Sequence, residues 1–524
     1  MISAIATAAS DTMPTTLSWE TVTYYVQHAP QLYARWWLNL VQEDPGHVIV
    51  ESVLVLFVLY VLFFKKTLNT RAPALGITHL TPREVDELIK DWQPEPLVPA
   101  VPPTSTLPTP VVERVEGGEL VMAGTGQRLV NMVAFDFLGF GQGREVRAAA
   151  VAAMEKYGCG SCGPRGFYGT IDAHLKLEDQ AAAFMRTEAA ISYSDSAATV
   201  SSCIAAFAKR GDLILADMGV HEAVQTGLDL SRSTVRFFKH NDMDDLLRVL
   251  QEPFFGHNAT DELLRMLREV EQEDVSTGRR VLDQRRFIVV EGLYRNFGDL
   301  APMPKLLELK EKYHYRLVVD EGLSFGVLGA SGRGVTEHYG LPVTCVDIMT
   351  VSLAHALASI GGVCVGRDDV VDHQRLSGAG YCFSAAAPPF TAAAAGESIR
   401  LLESEGPQLL QQLRTNAKRL SSGLARVNGL QVISSEESPI VHVALAGAGA
   451  SNQQEHLQQR HTLEKIAEAC RNEGYAVAVS RYLQKERHHP PATIRLAVNA
   501  LQTREQLNGC VAAVAKAAAQ VLHA

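Results

Sequence analysis

Arg286 to Asp320 reads RFIVVEGLYRNFGDLAPMPKLLELKEKYHYRLVVD. RFIVVEG at its start and YRLVVD at its end, which continues as EG, are apolar runs separated by a segment of helix length. A strand that is apolar on both faces must be covered on both faces, which is the condition of a parallel sheet with helical crossovers. The pattern recurs outward in AAISYS (189–194), DLILAD (212–217), TVRFFK (234–239), DIMTVS (347–352) and GGVCVG (361–366). It predicts an α/β fold built on a mainly parallel sheet. From about residue 390, helical patterns over 391–405 and 411–427 precede the strand-like PIVHVAL (439–445) and TIRLAVNA (493–500), which predicts a smaller α+β C-terminal domain.

The chain has 524 residues, 47% of them hydrophobic, which is ample for a large core with extensions. Its net charge of -10 is spread without long charged blocks, and this excludes the electrostatic footprint of a nucleic-acid binder. Eight cysteines at irregular spacings indicate reduced thiols, not a disulfide framework. Cys159 and Cys162 form a C-x-x-C with no second ligand pair nearby, so no metal site is expected.

Val48 to Phe64 reads VIVESVLVLFVLYVLFF, with Lys65 and Lys66 next. Such a run predicts one transmembrane helix over residues 47–64, slightly short and completed by its flanks. Lys65, Lys66 and Arg71 on its C-terminal side place the large part of the chain in the cytosol and residues 1–46 in the lumen. Trp19, Tyr24, Tyr25, Tyr33, Trp36 and Trp37 suit either a helix at the membrane interface or an ordinary protein contact. Residues 81–92 open with a Thr-Pro helix start, and seven prolines between Pro94 and Pro110 make an extended spacer. Residues 65–110 are thus read as short helix and linker, 111–389 as the large domain and 390–524 as the small one. The charged stretch 258–280 is read as a solvated helical face.

Four stretches carry chemistry. Gly158 to Glu178, GCGSCGPRGFYGTIDAHLKLE, is a glycine-rich turn before a helix that places His174 and Glu178 on one face. Asp217 to Gly227, DMGVHEAVQTG, sets His221 after a strand. Val318 to Gly326, VVDEGLSFG, ends a strand on Asp320, and GASGRGVTEHYG follows at 329–340. Thr350 to Gly362 reads TVSLAHALASIGG, with Ser352 and His355.

Together these resemble the α-oxoamine synthase family, fold-type I pyridoxal-phosphate enzymes that condense an amino acid with an acyl-CoA. The family patterns G-x-R-x-x-x-G-x-x-x-x-H-x-x-L-E and G-R-G-x-x-E-H are kept. The resemblance implies that His221 stacks on the cofactor ring, that Asp320 pairs with its pyridine nitrogen, and that Ser352 belongs to the same site. Leu323 stands where the family has a histidine, and His355 stands where it has the lysine that forms the internal aldimine. Imidazole forms no stable imine, so the site is read as vestigial, with no catalytic residue. SGAGYCFSAAAPP (377–389) resembles the segment that reaches the partner's phosphate site, which gives Phe383 and Ser384 a role toward a neighbour. In VEGLYRNFGDLAPMP (290–304), Arg295 and Phe297 depart from the family pattern, and Arg495 keeps one of two arginines in a C-terminal strand.

Within the family the chain is most similar to anchored, lysine-free subunits. The resemblance then implies a heterodimer with a lysine-bearing catalytic subunit that holds pyridoxal 5'-phosphate covalently. Such a pair makes 3-ketosphinganine from L-serine and palmitoyl-CoA at the endoplasmic reticulum membrane. A small activating subunit and ORM-type regulators are implied as further partners. The alternatives are a membrane scaffold with no share in the active site, or an active member of unusual mechanism.

Overall fold

The computed structural model describes residues 45–63, 81–92, 110–241, 284–447, 453–483 and 490–522, with a few isolated residues between them. The aromatic-rich stretch 19–37, the proline-rich spacer and the charged stretch 258–280 lie outside the described residues, isolated positions apart. The chain divides into two compact units, residues 1–101 and 102–524.

In the first unit, helix α1 (Pro45–Phe63) forms over the apolar run, and its described apolar side chains, among them Ile49, Val50 and Val53 to Tyr60, are exposed. Among the described residues no helix is long and apolar enough to cross a membrane. Helix α2 (Pro82–Asp91) starts as the Thr-Pro signal predicts, because Thr81 and Glu84 form a capping box that satisfies two backbone donors reciprocally.

The second unit opens with β1 (Val112–Glu116) and β2 (Glu119–Met122), a hairpin about Gly117 and Gly118, then β3 (Arg128–Asn131). Helices α3 (Arg144–Tyr157) and α4 (Asp172–Met185) lead to the seven-stranded sheet. Its elements are β4 (Ala189–Tyr193), α5 (Ser196–Phe207), β5 (Leu213–Asp217), α6 (Glu222–Ser231), β6 (Thr234–Phe238) and β7 (Arg286–Glu291). They continue with α7 (Met303–Tyr313), β8 (Arg316–Asp320), β9 (Ile348–Ser352) and β10 (Gly362–Gly366). The spatial order is β4-β10-β9-β8-β7-β5-β6. All seven strands read from the sequence are present; β5, β7 and β9 are buried along their whole length, and β8 is buried from Leu317 onward. One strand differs in direction. β10 is antiparallel to both β4 and β9, since it follows β9 through the loop 353–361 without a crossover helix to return the chain.

The chain continues through α8 (Asp368–Ser377), the short α9 (Ala379–Cys382) and α10 (Pro389–Leu424). Helix α10 joins the two helical patterns read separately in the sequence, with Pro407 inside it. Strands β11 (Leu430–Val432) and β12 (Ile440–Leu445), helix α11 (Gln453–Asn472), and strands β13 (Tyr475–Ala476), β14 (Ala478–Val479) and β15 (Ile494–Ala497) precede α12 (Arg504–Leu522). An antiparallel sheet runs β11-β12-β15-β14, while β13 adds in parallel to β3 and so ties the late chain to the first hairpin.

Because β4, β5, β7, β8 and β9 share one direction, their carboxyl ends line one edge of the sheet at Tyr193, Asp217, Glu291, Asp320 and Ser352. In α/β sheets this edge is where ligands bind.

Candidate functional site

Asp320 ends β8 with both carboxylate oxygens engaged. Oδ1 accepts from the Thr350 hydroxyl at 2.9 Å and from the Gly322 N–H at 3.1 Å, and Oδ2 lies 2.9 Å from His221 Nε2. His221 is the N-cap of α6, where its Nδ1 takes the Ala223 N–H at 3.2 Å. That cap holds only in the neutral ring, whose proton is then on Nε2; the charged ring gives up the Ala223 contact and still donates from Nε2 to Asp320. Burial disfavours the imidazolium, but the Glu291 charge and the Asp320 hydrogen bond outweigh it and raise the pKa to about 9. Glu291, at the end of β7, accepts the His221 N–H at 2.6 Å and the Arg295 N–H at 3.0 Å, and burial pushes its carboxyl up to about 7.

His355 is half-buried, with its ring edge-on to Phe135 at a centroid distance of 5.4 Å. Burial, then the Arg295 charge, holds its pKa down to about 4, so it is a neutral imidazole at physiological pH. Ser352 is buried at the end of β9, and its hydroxyl accepts the Ala354 N–H at 3.1 Å. The sheet edge thus brings together His221, Asp320, Ser352 and His355.

Pyridoxal phosphate, the cofactor implied by the resemblance, does not fit this edge as built. Asp320 Oδ2 has His221 as its one partner among the described residues and keeps a lone pair for a pyridine nitrogen, so the misfit lies at the other contacts. Leu323 is a buried apolar side chain where a polar group would be needed. Helix α5 begins beside Ser352, since Gly362 pairs with both Ser352 and Tyr193. A helix N-terminus in that place is the ordinary phosphate seat, yet the Asp195 carboxylate caps it by accepting the Ala198 N–H at 2.8 Å. A phosphate there would meet a like charge. The sequence carried the signal for this, because S-D-S directly after the β4 run is an N-cap pattern.

Phe383 and Ser384 lie elsewhere, just past α9. The residues that follow them are fixed on the glycine-rich segment: the Ala386 N–H donates to the Gly163 carbonyl, and His174 Nε2 lies 2.8 Å from the Ala387 oxygen. Phe383 is 86% exposed, as are Phe167 at 70% and Tyr168 at 92%, so three aromatic side chains stand in solvent on this side. Beneath them Arg165 and Glu178 form a fully buried two-pronged pair at 2.7 and 3.0 Å, and Glu178 also accepts the Ser192 N–H at 2.7 Å. The motif at Gly158 to Glu178 therefore holds the loop onto β4.

The aminotransferase class I and II family matches residues 128–514. The chain is 40% identical over 479 residues to long chain base biosynthesis protein 1c of Oryza sativa subsp. japonica, covering 91% of this chain and 92% of that one. It is 37% identical to serine palmitoyltransferase 1 of Dictyostelium discoideum, covering 92% and 96%. With serine palmitoyltransferase 1 of Saccharomyces cerevisiae the identity is 36%, covering 78% and 72%. Among solved structures, S. paucimobilis serine palmitoyltransferase with a bound PLP–myriocin aldimine superposes with a TM-score of 0.67 at 24% identity, covering 79% of this chain and 94% of that one. The Sphingomonas wittichii serine palmitoyltransferase gives 0.66 at 24% identity, covering 79% and 93%. At that identity the likeness speaks for the fold alone, a fold-type I aminotransferase-like α/β architecture.

Proposed function

Because this chain belongs to the family of long chain base biosynthesis protein 1 and serine palmitoyltransferase 1, within the class I and II aminotransferases, we propose that it is the non-catalytic subunit of a serine palmitoyltransferase. Its activity as a transferase is then that of a complex, in which a second subunit carries the Schiff-base lysine. Together they condense L-serine with palmitoyl-CoA to 3-ketosphinganine, the first step of sphingolipid synthesis. The observation that carries this reading is His355: a neutral, half-buried imidazole stands where the resemblance places the lysine, at the edge that also holds His221 and Asp320.

Pyridoxal phosphate belongs, on this reading, to the partner, where it supplies the electron sink for the substrate's α-carbon. This chain's residues contribute walls and support. The exposed aromatics Phe167, Tyr168 and Phe383 favour the pairing, since a cluster of such side chains left in solvent is the mark of a surface that another protein covers. Ser384 beside them would face the partner's phosphate site. Further subunits, a small activator and ORM-type regulators, would act near the N-terminal unit.

We also propose that residues 47–64 anchor the chain in the endoplasmic reticulum membrane with the large unit cytosolic. The apolar run and the basic residues Lys65, Lys66 and Arg71 after it support this.

The test is co-purification from detergent-solubilised membranes followed by borohydride reduction. A lysine-bearing partner should appear in equal amount, and the pyridoxyl adduct should map to that partner. A stoichiometric adduct on any lysine of this chain overturns the reading.

A further inference from the structure

Helix α2 has an apolar face that nothing among the described residues covers. Val85, Leu88, Ile89 and Trp92 are all exposed, and their spacing of i, i+3, i+4 and i+7 sets them in one stripe along the helix. Arg83, Glu87 and Lys90 fall on the opposite face, while Glu84 and Asp86 border the stripe, one on each side. Leu97, a little further along the chain, is fully exposed and extends the apolar surface. The capping box at Thr81 fixes where the helix starts, but its ten residues are too few to hold it in water, where helices shorter than about 12 residues are marginal. Burial of the stripe is what remains to stabilise it.

The charges indicate what buries it. A helix that lies on a lipid surface carries lysine and arginine on its polar face, where they meet anionic headgroups. In α2 the residues bordering the stripe are acidic, and Arg83 and Lys90 point away from it. A second copy of the helix laid on the stripe would set Glu84 and Asp86 against acidic counterparts, a like-charge contact that opposes pairing. A protein groove with an apolar floor and a rim of lysine or arginine matches both features, and anchors at i, i+3, i+4 and i+7 are the way a helix grips such a groove. Resting on the pairing reading above, we propose that α2 docks in a groove of this kind on the lysine-bearing partner subunit, with Leu88, Ile89 and Trp92 as its anchors. The partner then has a hold on this chain besides the aromatic cluster at Phe167, Tyr168 and Phe383, which lies in the other compact unit.

The test replaces Leu88, and in a parallel variant Glu87, by the photoreactive residue p-benzoylphenylalanine in the full-length chain of the membrane-embedded complex. On irradiation, position 88 should crosslink to the lysine-bearing subunit and position 87 should not. Leu88→Glu should also speed trypsin cleavage after Lys90 in the complex by about tenfold, because cleavage tracks the undocked fraction and loss of one buried leucine raises that fraction by about this much. Adducts at position 88 with lipid or with any other polypeptide overturn the proposal, as do equal crosslinking from both positions and an unchanged cleavage rate in Leu88→Glu. The two readings fail separately: a stoichiometric pyridoxyl adduct on this chain after borohydride reduction sinks the pairing, whereas an adduct on the partner with no crosslink from position 88 sinks the docking alone.

Discussion

Arg165 and Glu178 are each almost fully buried, and each supplies the opposite charge that compensates the other for lost water. Removing one charge strands the other in a low-dielectric site, and Glu178→Gln should therefore cost about 3–5 kcal/mol, read as a fall in the urea midpoint of the purified protein. His240 gives a pH-dependent counterpart. Its Nδ1 faces Asp217 at 2.8 Å and its Nε2 faces Asp299 at 3.1 Å, so both ring nitrogens must carry protons. Burial opposes that charge, but Asp217 and then Asp299 outweigh it and raise the pKa to about 10 from 6.5. A raised pKa means stability that is full below about pH 6.5 and lost as pH rises through about 10. His240→Asn should be less stable than wild type at neutral pH, and the gap should narrow steadily as the melts are repeated toward pH 10. A constant gap would show that the ring is held by packing against Phe297 and Tyr294 and not by its charge.

At the scale of elements, the first hairpin turns on Gly117 and Gly118, both left-handed at φ +57° and +82°, with open space where a Cβ would go. Gly118→Ala should thus cost only the left-handed backbone term, about 1–2 kcal/mol. Gly169 is the contrast, since a Cβ there would strike the carbonyl oxygens of Gly163 and Pro164, which are backbone and cannot swing aside. Gly169→Ala should destabilise more than Gly118→Ala in parallel urea titrations. The hairpin V-E-R-V-E-G-G-E-L-V-M is a strand alternation around a Gly-Gly turn, a local signal the strand reading passed over, and its third and fourth strands carry no such signal. β13 is two residues long and pairs with β3 across more than three hundred residues, a contact no local pattern encodes. Helix α10 shows the opposite discrepancy. Pro407 removes a backbone donor and signals a break, but the helix continues, with Leu402, Leu410 and Leu413 buried on either side of it. Tertiary burial there outweighs a local cost.

For the whole molecule, the pairing reading predicts that Ser384→Arg lowers the activity of the complex without blocking assembly. Displacement of a cofactor by about 1 Å can reduce rates on the order of a hundredfold. Assembly is read by gel filtration and turnover by product formation, and full turnover from an assembled variant complex would favour the scaffold alternative. The anchor reading predicts that protease added to sealed microsomes digests the unit beginning at residue 102 and spares the segment before Val48. Protection of the large unit would reverse the orientation.

The sequence by itself determined the seven strands of the central sheet, because strands covered on both faces must be apolar throughout and leave a continuous signature. It also carries the reading of a lost aldimine lysine, because the resemblance places that lysine where His355 stands, at a fixed distance from Gly361 and Gly362. What only the tertiary structure decided is what now fills the vacated edge. His221 lies 99 residues before Asp320 and donates to it, Phe135 meets His355 edge-on, and Asp195 caps the helix that follows β4. Hydrogen bonds and charge interactions act through space over a few ångströms, so their partners become definite only when the strands and loops that carry them are brought side by side.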